Sequence, residues 1–393
     1  MGAWVQDGGH VITCQYKFKT KGESCVCITR NNMHINIPIM LLIILHGYLN
    51  NTGHVPSGQH GEYLAKSTKN VQTVYTHWKL EKIHKEKITG KGITIAIIDD
   101  GLDHEHDSVR EKCKSAKIRG VLHDDQWKHK RAKHGTAVAA IIAGKEYTIK
   151  NDSDEEVTIP PGIAPDANLR IYRLSENFTK GDAVAAVNEL SAALDHILTL
   201  SETERIDIVS MSVSVPGKYK PIEAKLKKLA EKEIVCIAAA GNVGDLEPGA
   251  KFPANFKEAV LSVGALSSEG KESQFNPRSG VDVYAFGENV AVPSPDATNT
   301  SASYLDGTSF AVPMVAGFLA LLFQCAKEFP KCKGKYEEYH DVSFLREHFI
   351  KCHKLCKDKR LLYVDSYFLT DLLECKAHNP SPIAKFYWEV YPQ

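Results

Sequence analysis

The sequence predicts an α/β protein with a mostly parallel central sheet and helices on both of its faces. Two observations carry that prediction. From about Trp78 onward, short β-branched runs alternate with amphipathic or small-residue helical stretches, and the runs themselves are apolar almost without interruption. Such alternation argues for parallel strands joined by crossover helices. Unbroken apolarity argues for strands covered on both faces.

The candidate strands, in order, are residues 93–99 (ITIAIID), 167–174 (ANLRIYRL), 206–213 (IDIVSMSV), 233–241 (EIVCIAAAG) and 259–266 (AVLSVGAL). Between the second and third, residues 182–200 place Val184, Val187, Leu190, Leu194, Ile197 and Leu198 on one predicted helical face; Ile222, Leu226 and Leu229 repeat that pattern in the next helix. Residues 133–144 (KHGTAVAAIIAG) read as a helix whose small residues let it approach the sheet closely. Residues 306–323 (DGTSFAVPMVAGFLALLF) open from a small polar turn into a long apolar helix, and residues 344–375 read as closing helices. In open sheets of this type ligands bind beyond the carboxyl ends of the strands. Asp99 and Asn242 both fall there.

Residues 1–77 lack this alternation. VITCQYKFKT and SCVCITR are predicted to pair as a hairpin, and residues 37–45 (IPIMLLIIL) read as a buried strand or helix. The latter segment falls short of the roughly 20 residues that span a bilayer, so no transmembrane helix is expected. As written, no basic region and long apolar stretch follow residue 1, which reads as intracellular. A start at Met33 would instead put IPIMLLIIL where a signal sequence has its apolar core and would read as secreted.

Of the 393 residues 43% are hydrophobic and 24% charged, the balance of a soluble globular chain rather than a disordered one. Lys+Arg 48 against Asp+Glu 48 leaves no net charge, so no nucleic-acid or membrane partner is expected. Ten irregularly spaced cysteines do not define a disulfide scaffold. Cys236 reads as a small buried hydrophobe, while Cys325, Cys332, Cys352, Cys356 and Cys375 crowd the C-terminal region, where disulfides or a metal are the alternatives. Asn-x-Ser/Thr triplets begin at Asn50, Asn151, Asn177 and Asn299 and matter only in the secretory pathway.

Three segments carry chemistry. Asp99 ends an apolar strand, where a buried carboxylate beside an imidazole fixes its tautomer and stabilises the imidazolium formed in proton transfer. Its neighbour Asp100 reads as an exposed acid of the turn. His134 precedes the small-residue helix; an ordinary pKa of about 6.5 suits it to take and return a proton near neutrality. Ser309 opens the long apolar helix at the positive end of its dipole. Taken alone it reads as a helix cap rather than a nucleophile, with Pro313 tolerated in an early turn.

The order Asp99, His134, Ser309, set in D-D-G, H-G-T and G-T-S-x-A-x-P, resembles the subtilisin-like serine proteases. The resemblance extends from about Trp78 to about Leu373 and includes GKGITIAIID, GIAPDANL at 162–169 and AAAGNVG at 238–244. It implies a three-layer subtilisin-like fold with residues 78–393 as one peptidase domain, and a serine endopeptidase working through an acyl-enzyme. Asn242 then falls where the family has its oxyanion-hole asparagine, against the alternative of a plain Gly-Asn turn. No cofactor is implied. Residues 1–77 stay an N-terminal segment of unassigned role, a candidate divergent propeptide or leader.

The departures from the family pattern are local. Ser108 stands where many bacterial members carry a calcium-liganding aspartate, which counts against calcium there. Ala137 and Met314 replace histidines. Ser212, Val213 and Ser214 resemble the family's substrate-binding edge, which pairs with extended polypeptide, and Ser214 in place of glycine would crowd the primary pocket. Lys251, before Phe252 and Pro253, is a candidate for the pocket floor favouring an acidic or hydrogen-bonding residue; the alternative is a solvated lysine. Two other functions remain open on sequence. One is a catalytically inactive binding protein of the same fold. The other is a metal protein using His104, Glu105 and His106 with His123 or the Cys352, His353, Cys356 group, which lack a recognisable metalloprotease or zinc-finger spacing.

Overall fold

The computed structural model describes four strands within the first 38 residues and most of residues 80–347, apart from 104–105, 116, 121–133, 151–155, 175–182, 201, 216, 245–248, 268–269, 294–301 and 329–338. The four asparagine triplets, the Cys352 group, His104, Glu105, His123, most of IPIMLLIIL and the helices expected beyond residue 347 lie outside the described residues.

The chain divides into two compact units, Met1–Pro56 and Ser57–Gln393. In the first, β1 (Ala3–Asp7), β2 (His10–Cys14), β3 (Ser24–Ile28) and β4 (His34–Pro38) form an antiparallel meander in that order. The predicted hairpin is there as β2 against β3.

The second unit is built on α1 (Leu80–Lys85), β5 (Thr94–Asp99), α2 (Asp107–Ser115), β6 (Lys117–Gly120), α3 (His134–Ala143), β7 (Tyr147–Lys150), β8 (Glu156–Ile159), β9 (Asn168–Arg173), α4 (Ala183–Thr199), β10 (Ile208–Met211), α5 (Lys220–Glu231), β11 (Val235–Ala239), β12 (Val260–Leu266), β13 (Val283–Phe286), β14 (Val290–Pro293), β15 (Ala302–Leu305) and α6 (Thr308–Glu328). Seven strands make one sheet in the order β13-β12-β11-β10-β5-β9-β6, parallel throughout. All five predicted strands are in it; β6 and β13 extend it at its edges. The pairs β7–β8 and β14–β15 are separate antiparallel ribbons.

Strand side chains alternate between two cores, as their period of two requires. Ile95, Ile97, Ile208, Val235 and Ile237 face α3 and α6, whereas Ala96, Ile98, Val209, Met211, Cys236 and Ala238 face α4 and α5. The result is the expected three layers. Burial pushes the Cys236 thiol up to about 12, so it stays protonated within its core.

One helix expectation needs correction. Val184 is 71% exposed, while Ala186, Leu190, Ala193, Leu194 and Ile197 are buried. At 3.6 residues per turn, a residue six positions before Leu190 sits roughly 120° away from it around the helix, outside the apolar stripe. α6 is long and apolar enough to cross a bilayer, but 94% of its apolar window is buried inside the fold. It is a core helix.

Gln324, near the end of α6, ties the start of the domain down. Its Oε1 accepts the backbone N–H groups of Thr89, Gly90 and Lys91 at 2.7, 2.8 and 3.2 Å, and its Nε2 donates to the Lys87 carbonyl at 2.9 Å. At the other end, Arg346 donates to Asp282 Oδ1 at 3.0 Å and to the carbonyls of Lys257 and Val260. That clasp seats the helical segment 342–347 on the edge of the sheet.

Chain direction across the sheet reverses at β5: β9 and β6 lie on one side, β10 to β13 on the other. In a sheet wound this way the binding crevice is expected beyond the carboxyl ends of β5 and β10, where the connections diverge. Asp99 is the last residue of β5, and Ser212 follows β10 directly.

Candidate active site

The strand end, two helix starts and one turn converge on this crevice. Asp99 is 2% exposed, its carboxylate held at the end of a strand buried on both faces. His134 is the first residue of α3. Its Nδ1 lies 2.8 and 3.0 Å from the two oxygens of Asp99. That contact fixes Nδ1 as the protonated nitrogen and leaves Nε2 as the free base, because only an N–H can share an ionised carboxylate. The opposite flank of the imidazole packs against Phe310 of α6, with ring centroids 5.3 Å apart. The ring is thereby wedged between β5 and the first turn of α6, which carries Ser309.

Ser309 is tied to the end of β10 by a reciprocal pair. Its Oγ donates to the Ser212 carbonyl at 3.2 Å, and Ser212 Oγ donates to the Ser309 carbonyl at 2.7 Å. The second bond has a covalent cause. In an α-helix the Ser309 carbonyl would accept the N–H of residue 313, but that residue is proline and has none, so Ser212 takes the vacant acceptor.

Asn242 follows β11 on the far side of the same turn. Its Oδ1 accepts both the N–H and the Oγ1 hydrogen of Thr308, each at 2.9 Å. A backbone N–H can only donate, so this pair decides which way the amide faces: oxygen toward Thr308, with Nδ2 3.1 Å from where a Cβ on Gly307 would stand. Thr308 Oγ1 also accepts the Gly241 N–H at 3.2 Å, joining the end of β11 to the start of α6.

Asp100 departs from expectation. It is not an exposed acid of a turn: its Oδ1 accepts the Gly135 N–H at 2.7 Å and its Oδ2 the His134 N–H at 3.2 Å, so it caps the first turn of α3. Close approach is obligatory, since a Cβ on Gly135 would lie 2.1 Å from the Gly101 carbonyl oxygen. Burial and the Asp99 charge raise the Asp100 carboxyl to about 6, against the opposing pull of His134 and the two backbone donors. For His134, burial lowers the imidazolium pKa, but the charge and hydrogen bond of Asp99 and the charge of Asp100 outweigh it and lift the group to about 9.

The residues singled out for substrate binding lie along the crevice. Residues 212–214 carry no strand pairing; Ser212 and Val213 are buried and Ser214 is exposed. Val215 then bridges to Phe252, its N–H donating to the Phe252 carbonyl at 2.8 Å. Lys251 donates its N–H to the Ala240 carbonyl at 2.8 Å and lays its stem over Gly241, where an added Cβ would stand 2.8 Å from the lysine Cγ. Gly241 also has φ +106°, so glycine is required there twice over.

Of the residues named for a metal protein, His106 alone is among the described ones. His106 is buried, bonds Ser108 Oγ through Nδ1 at 2.8 Å and packs edge-on against Tyr147. Ser108 therefore presents a hydroxyl already engaged with a histidine, not a carboxylate, and this position does not fit a calcium ion. Among the described residues no group of three or more His, Cys, Asp or Glu comes together as a metal site.

Comparison with known proteins places this arrangement. The model of the subtilase family, the S8 peptidases, matches residues 90–341. The chain belongs to the subtilase family. It is 30% identical over 254 residues to the major intracellular serine protease of Bacillus subtilis, covering 62% of this chain and 72% of that one. It is likewise 30% identical over 245 residues to the intracellular serine protease of Paenibacillus polymyxa (60% and 68%) and 27% identical over 247 residues to subtilisin E of Bacillus subtilis (62% and 58%). Among solved structures, the prenylagaramide maturation protease PagA superposes with a TM-score of 0.52 at 23% identity, over 69% of this chain and 87% of that one, a likeness of fold. This subtilase is accordingly a serine peptidase, a hydrolase of peptide bonds in polypeptide substrates.

The sequence had pointed to Asp99, His134, Ser309 and Asn242 as a set through the family resemblance, and the structure brings Asp99 to His134, Ser309 to Ser212 at the end of β10, and Asn242 to Thr308 beside Ser309. Three contributors escaped it. Thr308, which orients Asn242, reads as one polar turn residue among several. The Asp100 cap needs the path of the chain between β5 and α3. Ser212 was singled out for its backbone, but its hydroxyl meets Ser309 as well; Pro313 was the available signal, because its missing N–H leaves a carbonyl to be satisfied.

Proposed function

We propose that this subtilase is an endopeptidase that cleaves through an acyl-enzyme, with Ser309 as nucleophile, His134 as general base, Asp99 as the group orienting it, and Asn242 Nδ2 with the Ser309 N–H as oxyanion donors. One observation supports this reading above all others: the two-oxygen contact of Asp99 with His134 Nδ1, which leaves Nε2 free beside the first turn of α6. In the resting state the Ser309 hydroxyl rests on the Ser212 carbonyl. With an extended peptide laid along residues 212–214, that carbonyl becomes an acceptor for the substrate backbone, and the hydroxyl turns to Nε2. His134 takes the hydroxyl proton as Oγ adds to the scissile carbonyl, and passes it to the leaving amine. Water then repeats the sequence on the acyl-enzyme. The developing oxyanion points at Asn242 Nδ2.

Lys251 belongs to this reading as a residue of the primary pocket, its stem over Gly241 and its charge favouring an acidic side chain on the acyl side of the bond. Residues 1–77 are a segment distinct from the peptidase domain of residues 78–393. The deciding experiment is labelling with a fluorophosphonate: the wild-type chain should label and Ser309→Ala should not, with hydrolysis of an unfolded protein lost in parallel and unaffected by chelators. Absence of labelling in a folded wild-type chain would favour the inactive binding protein instead.

A further inference from the structure

The sequence offers two adjacent acids at the end of β5, and the reading above uses only the first. Asp100 nevertheless holds the histidine from its other side. Asp99 grips the ring at Nδ1, while Asp100 grips the backbone of the same residue and the next one, with Oδ2 on the His134 N–H and Oδ1 on the Gly135 N–H. The Asp99 carboxylate is in turn held by the Asp100 backbone, whose N–H donates to Asp99 Oδ1 at 2.8 Å. Beside them the Asp103 N–H donates to Thr136 Oγ1 at 2.7 Å, so the turn after β5 and the first turn of α3 are stitched at three successive residues of the helix.

We propose that Asp100 is a positioning residue of the peptidase reaction, its carboxylate clamping the first turn of α3 so that the His134 ring stays on Asp99, and its charge stabilising the imidazolium that forms during acyl transfer. This rests on the assignment of His134 as general base. A plain helix cap would satisfy two orphan N–H groups and end there. Asp100 differs because the helix it caps begins at the catalytic histidine itself, so any slack in the cap is slack in the ring. It also adds a second negative charge near the imidazolium, one that acts to raise its pKa. The other described contacts of the ring are the Asp99 carboxylate from β5 and the uncharged Phe310 from α6; among the described residues Asp99 and Asp100 are the charges that act on it. Loss of the Asp100 charge therefore moves the imidazolium pKa downward, in the direction its raised value implies.

The test separates clamp from charge. Asp100→Asn and Asp100→Ser keep a side-chain oxygen at the cap without the charge, Asp100→Ala removes both, and Asp100→Glu keeps the charge on a longer arm. With active enzyme counted by fluorophosphonate titration of the full-length chain, the acid limb of kcat/KM is expected about one pH unit lower in the Asn, Ser and Ala variants alike, and unmoved in Glu. At the pH plateau kcat should fall about tenfold in Asn and Ser and further in Ala, with KM within about twofold of wild type. An NMR titration of the His134 ring in Ser309→Ala, with and without Asp100→Asn, reads the same shift with no turnover required. Superimposable pH profiles and ring titrations for wild type and Asn, with only the melting temperature lowered, would reduce Asp100 to a structural cap and overturn the proposal. Should Ala not fold, Asn and Ser decide alone. Hydrolysis that survives His134→Ala would instead overturn the base assignment, a different failure.

Discussion

Replacing Asn242 by leucine removes one hydrogen-bond donor from the crevice and keeps the side chain's size. The structure sets the magnitude. Oδ1 is pinned twice, by the N–H and the hydroxyl of Thr308 at 2.9 Å each, so on the proposed reading Nδ2 is a donor held in place before the reaction begins. A donor of this kind contributes about 3 kcal/mol to the transition state, and at about 1.4 kcal/mol per tenfold the rate falls roughly 150-fold. Because the substrate carbonyl in the ground state is a poor hydrogen-bond acceptor compared with the oxyanion, the loss belongs in kcat, with KM nearly unchanged. The variant also strands the Thr308 N–H, at a structural cost of about 1 to 3 kcal/mol if it stays dry. Thr308→Ala separates the two effects: it keeps the backbone contact, loses one of the two pins on Oδ1, and should cost only about threefold to tenfold through a looser amide. The assay is steady-state hydrolysis of a chromogenic peptide at a known active-site concentration. A fall in kcat under tenfold for Asn242→Leu, or one that appears in KM alone, would refute the assignment of Nδ2 as an oxyanion donor.

Other outcomes follow from the same contacts. On the proposed mechanism His134 must be unprotonated to accept the Ser309 proton, and Asp99 and Asp100 lift its pKa toward about 9, so kcat/KM should still be climbing above pH 7; a midpoint at or below 6.5 would contradict that proposal. The linked stability has the opposite slope: a raised folded-state pKa stabilises fully below about 6.5 and is lost as pH rises through about 9. The melting temperature of Ser309→Ala, which cannot digest itself, should therefore fall across that window, and less so once His134 is also replaced by glutamine. Gln324→Leu leaves three N–H groups at residues 89–91 without their acceptor and should destabilise by roughly 3 to 6 kcal/mol in urea unfolding, whereas Gln324→Glu keeps the acceptor and should cost clearly less. Equal losses in the two variants would show that the acceptor oxygen is not what matters.

What could be read from the sequence was what a one-dimensional pattern carries. Apolar continuity at 93–99, 206–213 and 233–241 announced strands covered on both faces, and the period of Leu190, Leu194 and Ile197 announced a helix lying on them. The same period also places Val184 outside the stripe, yet apolarity alone put it inside. β6 and β13 escaped because edge strands of four residues carry too few side chains for a pattern to show. Asp99, His134, Ser309 and Asn242 were singled out as a set, because their segments together resemble the subtilisin-like proteases; alone, Ser309 read as a helix cap and Asn242 fitted a Gly-Asn turn.

Tertiary structure decided the relations among segments far apart in the chain. That Asp100 caps the helix of a histidine 34 residues away, that Ser212 supplies the hydrogen which Pro313 cannot, and that Thr308 turns the Asn242 amide outward all depend on which strand ends meet at the crevice beside β5. No local sequence window contains both members of any of these pairs. The sequence alone determined the residue types and their order; the parallel sheet decided which meet, because its reversal at β5 brings the carboxyl ends of β5, β10 and β11 to one rim.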